Sequence, residues 1–312
     1  MDNLDNKVDA TAIGDPMDKK MLKAEKRKIA FTTVLWKEIK ADKLALVSLI
    51  LLVGIVLTVF IWSMFLDAAE VTRMNLPMVN RPPSQEHVLG TDDGGRDVLN
   101  FMVMGARNSL NIAFFVTIIA ASIGVLVGIT AGFYGGRVDN VMMRIVDTVS
   151  MLPFLMIIIL FIVIIPRYGI VHFILLMSLF GWFGISRQVR ARALQQGRLD
   201  YVSAAKTLGT PNPVIIFREV LPNLVSILSV LMTLNLANNV GLEVGLTFLG
   251  FGMPHGTPSL GNLIALARVP VVMEHRWWQW IPASLLVLVI ALCINFVGQA
   301  VNRAADARQR LV

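Results

Sequence analysis

The polar groups best placed for chemistry in this sequence interrupt a long apolar stretch. Thr233, Asn235, Asn238, Asn239 and Glu243 lie in and just beyond the run 221–241. Asn235, Asn239 and Glu243 follow one another at intervals of four, which sets them along one stripe of a helix. Carboxamides donate and accept hydrogen bonds, and a carboxylate attracts cations. Polar groups in apolar surroundings are costly unless they face partners or water, so the stripe marks a candidate path for a polar solute. Glu243 reads in two ways: as a carboxylate that attracts an amine, or as one that sits at an interface or pairs with an arginine.

Covalent chemistry finds no such cluster. No glycine-rich stretch ends in Gly-Lys-Ser/Thr, so ATP binding through a phosphate-cradling loop is not expected. There is no His-Glu-x-x-His and no glycine-flanked serine, and His87, His172, His255 and His275 share no metal-ligand spacing. Cys293 is the sole cysteine, which rules out an internal disulfide framework or a zinc cluster. The chain therefore reads as a non-enzyme that binds no metal or cofactor itself.

The elements that must position the stripe are membrane spans. Of 312 residues, 55% are hydrophobic and 16% charged, with a mean hydropathy of +0.68. A soluble chain could not keep that much apolar surface from water. The run 44–66 carries no charge over 23 residues, enough for a helix to cross a hydrocarbon core of about 30 Å. Similar runs at 110–134, 149–165, 170–185, 221–241 and 280–301 make six expected spans, the fourth the shortest. The fold class is all-α integral membrane. A cleavable signal peptide is not expected, because the first run starts after 43 residues and is long for a signal core.

Charge sets the expected orientation. On one side lie the 21 Lys and Arg residues of the N-terminal segment, the 137–144 loop, the 187–218 loop and the C-terminal tail; the other side holds seven. The positive-inside rule puts both termini in the cytoplasm. The basic excess fits anionic lipid head groups and not nucleic acid, since no basic patch is interleaved with aromatics. Phe31, Val34, Leu35 and Ile39 recur at helical spacing, with Lys37, Lys40 and Lys43 between and after them. This predicts an amphipathic helix lying in the interface of the bilayer, with Trp36 at head-group depth. Residues 1–18 are expected to be disordered. Trp277, Trp278 and Trp280 read as an aromatic belt, and Ser122, Gly124, Gly128 and Gly132 as a close-packing ladder.

The segment 187–222 is long for a connection between spans. Asp200 is placed to cap a short helix through Val202, Ala205 and Leu208, with Gly209 ending it in a left-handed conformation. Pro211 and Pro213 restart the chain, and a second helix presents Val214, Phe217 and Leu221 before Pro222 opens the fifth span. Such an elbow suits docking in a groove of a partner.

The elbow resembles the coupling segment of ABC importer permeases: Glu-Ala-Ala, three residues, Gly, and about ten residues later Leu-Pro. Here it reads Ser203-Ala204-Ala205, Gly209 and Leu221-Pro222, with Ser203 where the family usually has Glu. That departure removes any salt bridge the family Glu would make. The segment 87–110, HVLGTDDGGRDVLNFMVMGARNSL, resembles the His-x-Leu-Gly-Thr-Asp-x-x-Gly-Arg-Asp stretch of oligopeptide and dipeptide permeases. Matches continue at Arg144–Asp147 with Pro153, at Gly181-Trp182, and at GLTFLGFG with PSLGNLI, so the resemblance runs from about residue 30 to the C-terminus.

The resemblance implies a type I ABC importer permease in a bacterial or archaeal plasma membrane. Its domains would be an N-terminal segment 1–43, a first span 44–66, an extracellular segment 67–107 and a permease core 108–312. It implies as partners a second, similar permease subunit, two ATPase subunits that carry ATP and Mg, and an extracellular substrate-binding protein. The solute would be an oligopeptide or dipeptide, whose amino terminus Glu243 could attract; nickel chelates and glutathione are the alternatives. In the 87–97 motif, Gly90, Thr91, Asp92, Gly95, Arg96 and Asp97 read either as a docking surface for the binding protein or as a structural turn tied by Asp–Arg bonds. An ion-coupled secondary transporter would need paired repeats with broken helices and a midplane acidic residue, and no such repeat is visible. A membrane scaffold would not need the elbow.

Overall fold

The computed structural model describes residues 31–165, 168–254 and 256–311, and among them every regular element is helical. The expected disorder of residues 1–18 lies outside the described residues. In chain order the main helices are α1 (Phe31–Ala41), α2 (Lys43–Met64), α3 (Val98–Tyr134), α4 (Gly136–Ser150), α5 (Phe154–Ile164) and α6 (Ile170–Gln196). The short α7 (Asp200–Thr207), the long α8 (Leu221–Phe248), the short α9 (Leu260–Ala265) and the last helix α10 (Ile281–Leu311) follow.

Local sequence sets most boundaries. Asp42 accepts from the Leu44 and Ala45 N–H groups and so caps α2, and Asp97 caps α3 through the Asn100 N–H at 2.8 Å. Gly135, with φ of 62°, ends α3 in a conformation that side chains rarely adopt. The glycine ladder packs α3 against α6. A Cβ on Gly128 would come within 2.5 Å of the Ser186 carbonyl oxygen, and one on Gly132 within 2.6 Å of that of Arg190. Only glycine lets these backbones approach so closely. Ser122 stands outside this contact and is exposed, its hydroxyl donating to Ile118 O.

Five helical segments are long and apolar enough to span: Lys43–Met64, Val98–Tyr134, Ile170–Gln196, Asn212–Phe248 and Trp277–Asp306. The third expected span departs from the sequence reading. Its apolar run is shared between α4 and α5, which meet at a 70° bend. Pro153 stands at the break; proline disfavours helical geometry in the residue before it, so Met151 and Leu152 turn instead. At 11 residues α5 covers about half of a 30 Å core, at roughly 1.5 Å per residue. The fourth span is not short. Helix α6 has 27 residues and carries on through Arg187, Arg190 and Arg192, where the apolar run stops but the helix does not.

One further expectation changes. Pro222 does not open a new helix: Asn212–Ile215 runs through one wide turn, Ile216–Val220, straight into α8. There the Leu221 N–H bonds to Ile216 O, a five-residue spacing that re-registers the ladder where proline has no N–H to give. Helix α1 turns its apolar face to the protein: Val34 and Ile39 are buried, and Ile39 packs with Ala45 of α2 and Ala300 of α10. Trp36 stays half exposed beneath Lys40, and an ion pair between Asp42 and Arg303 fastens the α1–α2 junction to α10.

Candidate functional site

A cavity of about 290 Å³ opens where the α4–α5 break meets α6 and α8. Ser150, Leu152 and Phe154 come from the break, Arg187 from α6, and Asn235, Asn238 and Asn239 from α8. Asn239 is buried and donates to Thr117 Oγ1 of α3 at 2.9 Å. Asn235 donates to Leu231 O at 2.8 Å. Asn238 is exposed, and its amide makes no hydrogen bond among the described residues. Arg187 donates from Nη2 to Asp147 Oδ1 at 2.9 Å and to Ser150 Oγ at 3.0 Å, holding the end of α4 on α6. One helical turn further along α6, Arg190 pairs with Asp139, with Nη2 to Oδ2 at 2.6 Å.

Glu243 is separated from this cavity. It is fully buried, and its Oε1 accepts from Ser259 Oγ at 2.8 Å and Thr247 Oγ1 at 3.1 Å. Ser259 caps α9 through the Gly261 N–H, and Ser109 of α3 approaches the same carboxyl while accepting from Leu260 N. Neither sequence reading of Glu243 describes this place. Among the described residues no arginine pairs with it, and it does not line the cavity; the carboxylate ties α8 to the start of α9. Asn238 is the polar residue that the four-residue stripe passed over. It stands three positions from Asn235, also one helical turn away, and that spacing was the available signal. The Arg187–Asp147 pair had no local signal, because its members are 40 residues apart.

In the 87–97 motif, Gly90 and Gly95 have φ of 64° and 73°, and Thr91 and Asp92 are fully buried. Asp92 Oδ1 accepts from the Gly94 and Arg96 N–H groups at 2.8 and 2.9 Å, and Oδ2 from Arg96 Nε at 2.7 Å. Burial pushes the Asp92 carboxyl above its usual range, opposed by the Arg96 charge and these N–H groups. Arg96 lies over the Phe101 ring at 4.6 Å, and Asp97 shares a 2.8 Å hydrogen bond with His87 Nδ1. Thr91 O accepts from Gln279 Nε2 at 2.9 Å, which joins the motif to the approach to α10. Trp278 belongs to this contact too, its indole N–H reaching Thr91 O at 3.4 Å. These residues form the turn that the Asp and Arg spacing suggested.

The elbow is built on α7. Asp200 is the first helical residue and Leu199 the cap, so the expected side-chain cap is not made. Gly209 does end the helix region with φ of 78°. Val202 and Ile215 are fully buried in one cluster, while Ser203, Ala204 and Gly209 are exposed, as is Leu208 at 84%. Ala205 is half buried, and Leu221 and Pro222 lie at the junction with α8. The Ser203 hydroxyl has no partner among the described residues. Other side chains hold the elbow: Tyr201 OH donates to Gln196 Oε1 at 2.7 Å and accepts from Asn223 Nδ2 at 3.4 Å. Burial pushes the Tyr201 phenol up, so it remains a neutral donor.

Residues 124–311, which contain α4 to α9, the elbow and the cavity wall, match the family model of the binding-protein-dependent transport system inner membrane component. The chain belongs to this family. Among curated members, the oligopeptide transport system permease protein OppC of Lactococcus lactis is 44% identical over 92% of this chain and 98% of its own length. Bacillus subtilis OppC is 34% identical over 88% and 90%. The dipeptide transport system permease protein DppC of Bacillus subtilis is 34% identical over 90% and 87%. Among solved structures, an inward-facing MetNI methionine ABC transporter chain superposes with a TM-score of 0.53 at 19% identity, covering 66% of this chain and 97% of that one. This supports the type I importer permease fold. The α1–α2 arm and the 87–97 turn lie before the stretch that matches the binding-protein-dependent transport family, as additions to a shared core.

Proposed function

We propose that this chain is a membrane permease subunit of an ATP-driven importer, passing oligopeptides delivered by an extracellular binding protein. The observation that carries the reading is the 44% identity to an oligopeptide permease along nearly the whole of both chains. Relatives named for oligopeptides and dipeptides favour peptides over a nickel chelate or glutathione.

In this reading a second, similar permease completes the path, and two ATPase subunits carry ATP and Mg. The exposed side of α7, with Ser203, Ala204 and Leu208, meets an ATPase. The excess of Lys and Arg on the elbow's side of the membrane supports a cytoplasmic position for both termini and the elbow. Closure of the ATPases pulls α7, and rigid-body rocking of the spans switches access between the two sides. The cavity bearing Asn235 and Asn239 lies on the path. A break in a helix at membrane depth is tolerated where it is buried in protein or lines a watery cavity, and the α4–α5 break lines this one.

The test is purification of the tagged chain from a cell that carries the neighbouring transport subunits, followed by peptide uptake in proteoliposomes. Co-purifying ATPase subunits and uptake that needs ATP and binding protein are expected. Uptake that follows the proton gradient at constant ATP would overturn the reading.

A further inference from the structure

The cavity at the α4–α5 break carries a selective set of polar groups. Arg187 is the charged residue on its wall, and it is paired with Asp147. Asn235 and Asn239 each commit one amide N–H, to Leu231 O and Thr117 Oγ1, which leaves each a second N–H and an Oδ1 able to accept. Asn238 keeps both a donor and an acceptor. Apart from Ser150, which accepts from Arg187, the rest of the wall is apolar, with Phe154, Met177 and Phe180 among its bulkiest members. Such a wall accepts side chains of many shapes, since methionine in particular adapts to its neighbour.

A free carboxylate or ammonium would find no unpaired opposite charge here. A neutral amide would find complementary partners. The volume, about 290 Å³, stands at the low end of small-ligand pockets, roughly 300–1,000 Å³, and suits a short stretch of extended chain. We infer that this cavity reads the peptide main chain: Asn238 pairs with a backbone amide as donor and acceptor, and Asn235 and Asn239 accept from backbone N–H groups. Side chains rest on the apolar wall unread, so the permease passes peptides of varied sequence and leaves sequence choice to the binding protein. This inference rests on the cavity lying on the transport path.

The test uses the whole importer in proteoliposomes with saturating binding protein. The probes are short alanine peptides, the same peptides N-methylated at internal amides, and versions bearing Phe, Lys or Glu side chains. Binding-protein affinity for each is measured separately, and each variant is confirmed to assemble. Loss of both Asn238 hydrogen bonds predicts that Asn238→Leu slows uptake of every unmethylated peptide by about tenfold or more. Methylation at the one amide that meets Asn238 is expected to slow the native importer and to add little on Asn238→Leu, a coupling that marks one shared contact. Methylation at the amides that meet Asn235 and Asn239 should slow both importers alike. Independent effects of methylation and variant at every amide position, or a loss that depends on side-chain type, would overturn the main-chain reading. Asn238→Trp, which fills the cavity, separates the two failures. Native uptake with Trp present removes the cavity from the path altogether. A block by Trp without the methylation coupling keeps the path and discards the main-chain reading.

Discussion

Lys206 Nζ lies 4.7 Å from the centroid of the Phe133 ring, joining the elbow to the last turn of α3. With the Tyr201 bonds to Gln196 and Asn223, this contact fastens α7 to three spanning helices at once. Ser203 stands where the family usually has Glu, exposed and with no partner for its hydroxyl among the described residues. The polar ties between elbow and spans are therefore those of Lys206 and Tyr201, beside the apolar packing of Val202.

Replacing Phe133 with Leu or Lys206 with Met removes a cation–π contact worth roughly 0.5–2 kcal/mol. Peptide uptake per ATP hydrolysed is expected to fall, while the ATPases continue to turn over. The double variant should lose no more than either single one, because both delete the same contact. Paired uptake and phosphate-release measurements check this, and additive losses would show that the two residues act separately.

Helix packing gives a stability prediction. A Cβ on Gly128 would sit 2.5 Å from Ser186 O, whereas one on Gly184 would meet nothing within 4 Å. Gly128→Val is expected to lose about 1–3 kcal/mol through overpacking. Gly184→Ala should stay within about 0.5 kcal/mol of the native chain. Thermal melting of the purified complex in detergent separates the two.

Glu243 distinguishes a structural tie from an attracting charge. Glu243→Gln keeps an oxygen to accept from Ser259 and Thr247 and is expected to hold uptake within about threefold of native, the loss of a fraction of one charge-assisted bond. Glu243→Ala leaves both hydroxyls unanswered and should lower assembly yield. If Gln abolishes uptake in a fully assembled complex, the negative charge itself is required.

The arm α1–α2 carries a pH prediction. The Ala45 N–H, with Leu44 N–H and Arg303 also acting against desolvation, holds the Asp42 carboxyl below its ordinary value of 3.8. Its folded value is depressed, so its stabilising effect is complete above pH 3.8 and fades as pH falls through the folded value. Acidification through that window should loosen α1 from α10, and Trp36 fluorescence reports it. Arg303→Ala should move the loosening to higher pH.

Much of this architecture was legible in the residues. Long uncharged runs give spans because backbone polar groups in lipid must bond internally, and the glycines at intervals of four foretold the α3–α6 contact. The elbow was legible through Gly209 and its prolines. What hydropathy could not show was geometry within an apolar run: Pro153 bends the third span, yet the run reads as continuous. Charge hid the opposite error in α6, where a helix stabilised by Arg190–Asp139 outlasts its apolar stretch. The stripe of Asn235, Asn239 and Glu243 shares one face as expected, but α3 and α9 cover its far end. Burial by helices distant in sequence has no local mark, so Glu243 looked like part of a path.

The bond from Gln279 to Thr91 crosses 188 positions, and it sets an order of events in synthesis. Ribosomes extend chains at about 5–20 residues per second, so the 67–97 segment waits on the order of 10 to 40 s for its partner. Through that interval the buried Thr91 and Asp92 of the finished protein have no lid. Closure of this turn therefore records that the last span has arrived, and a chain halted before residue 279 keeps an unlocked segment open to proteolysis.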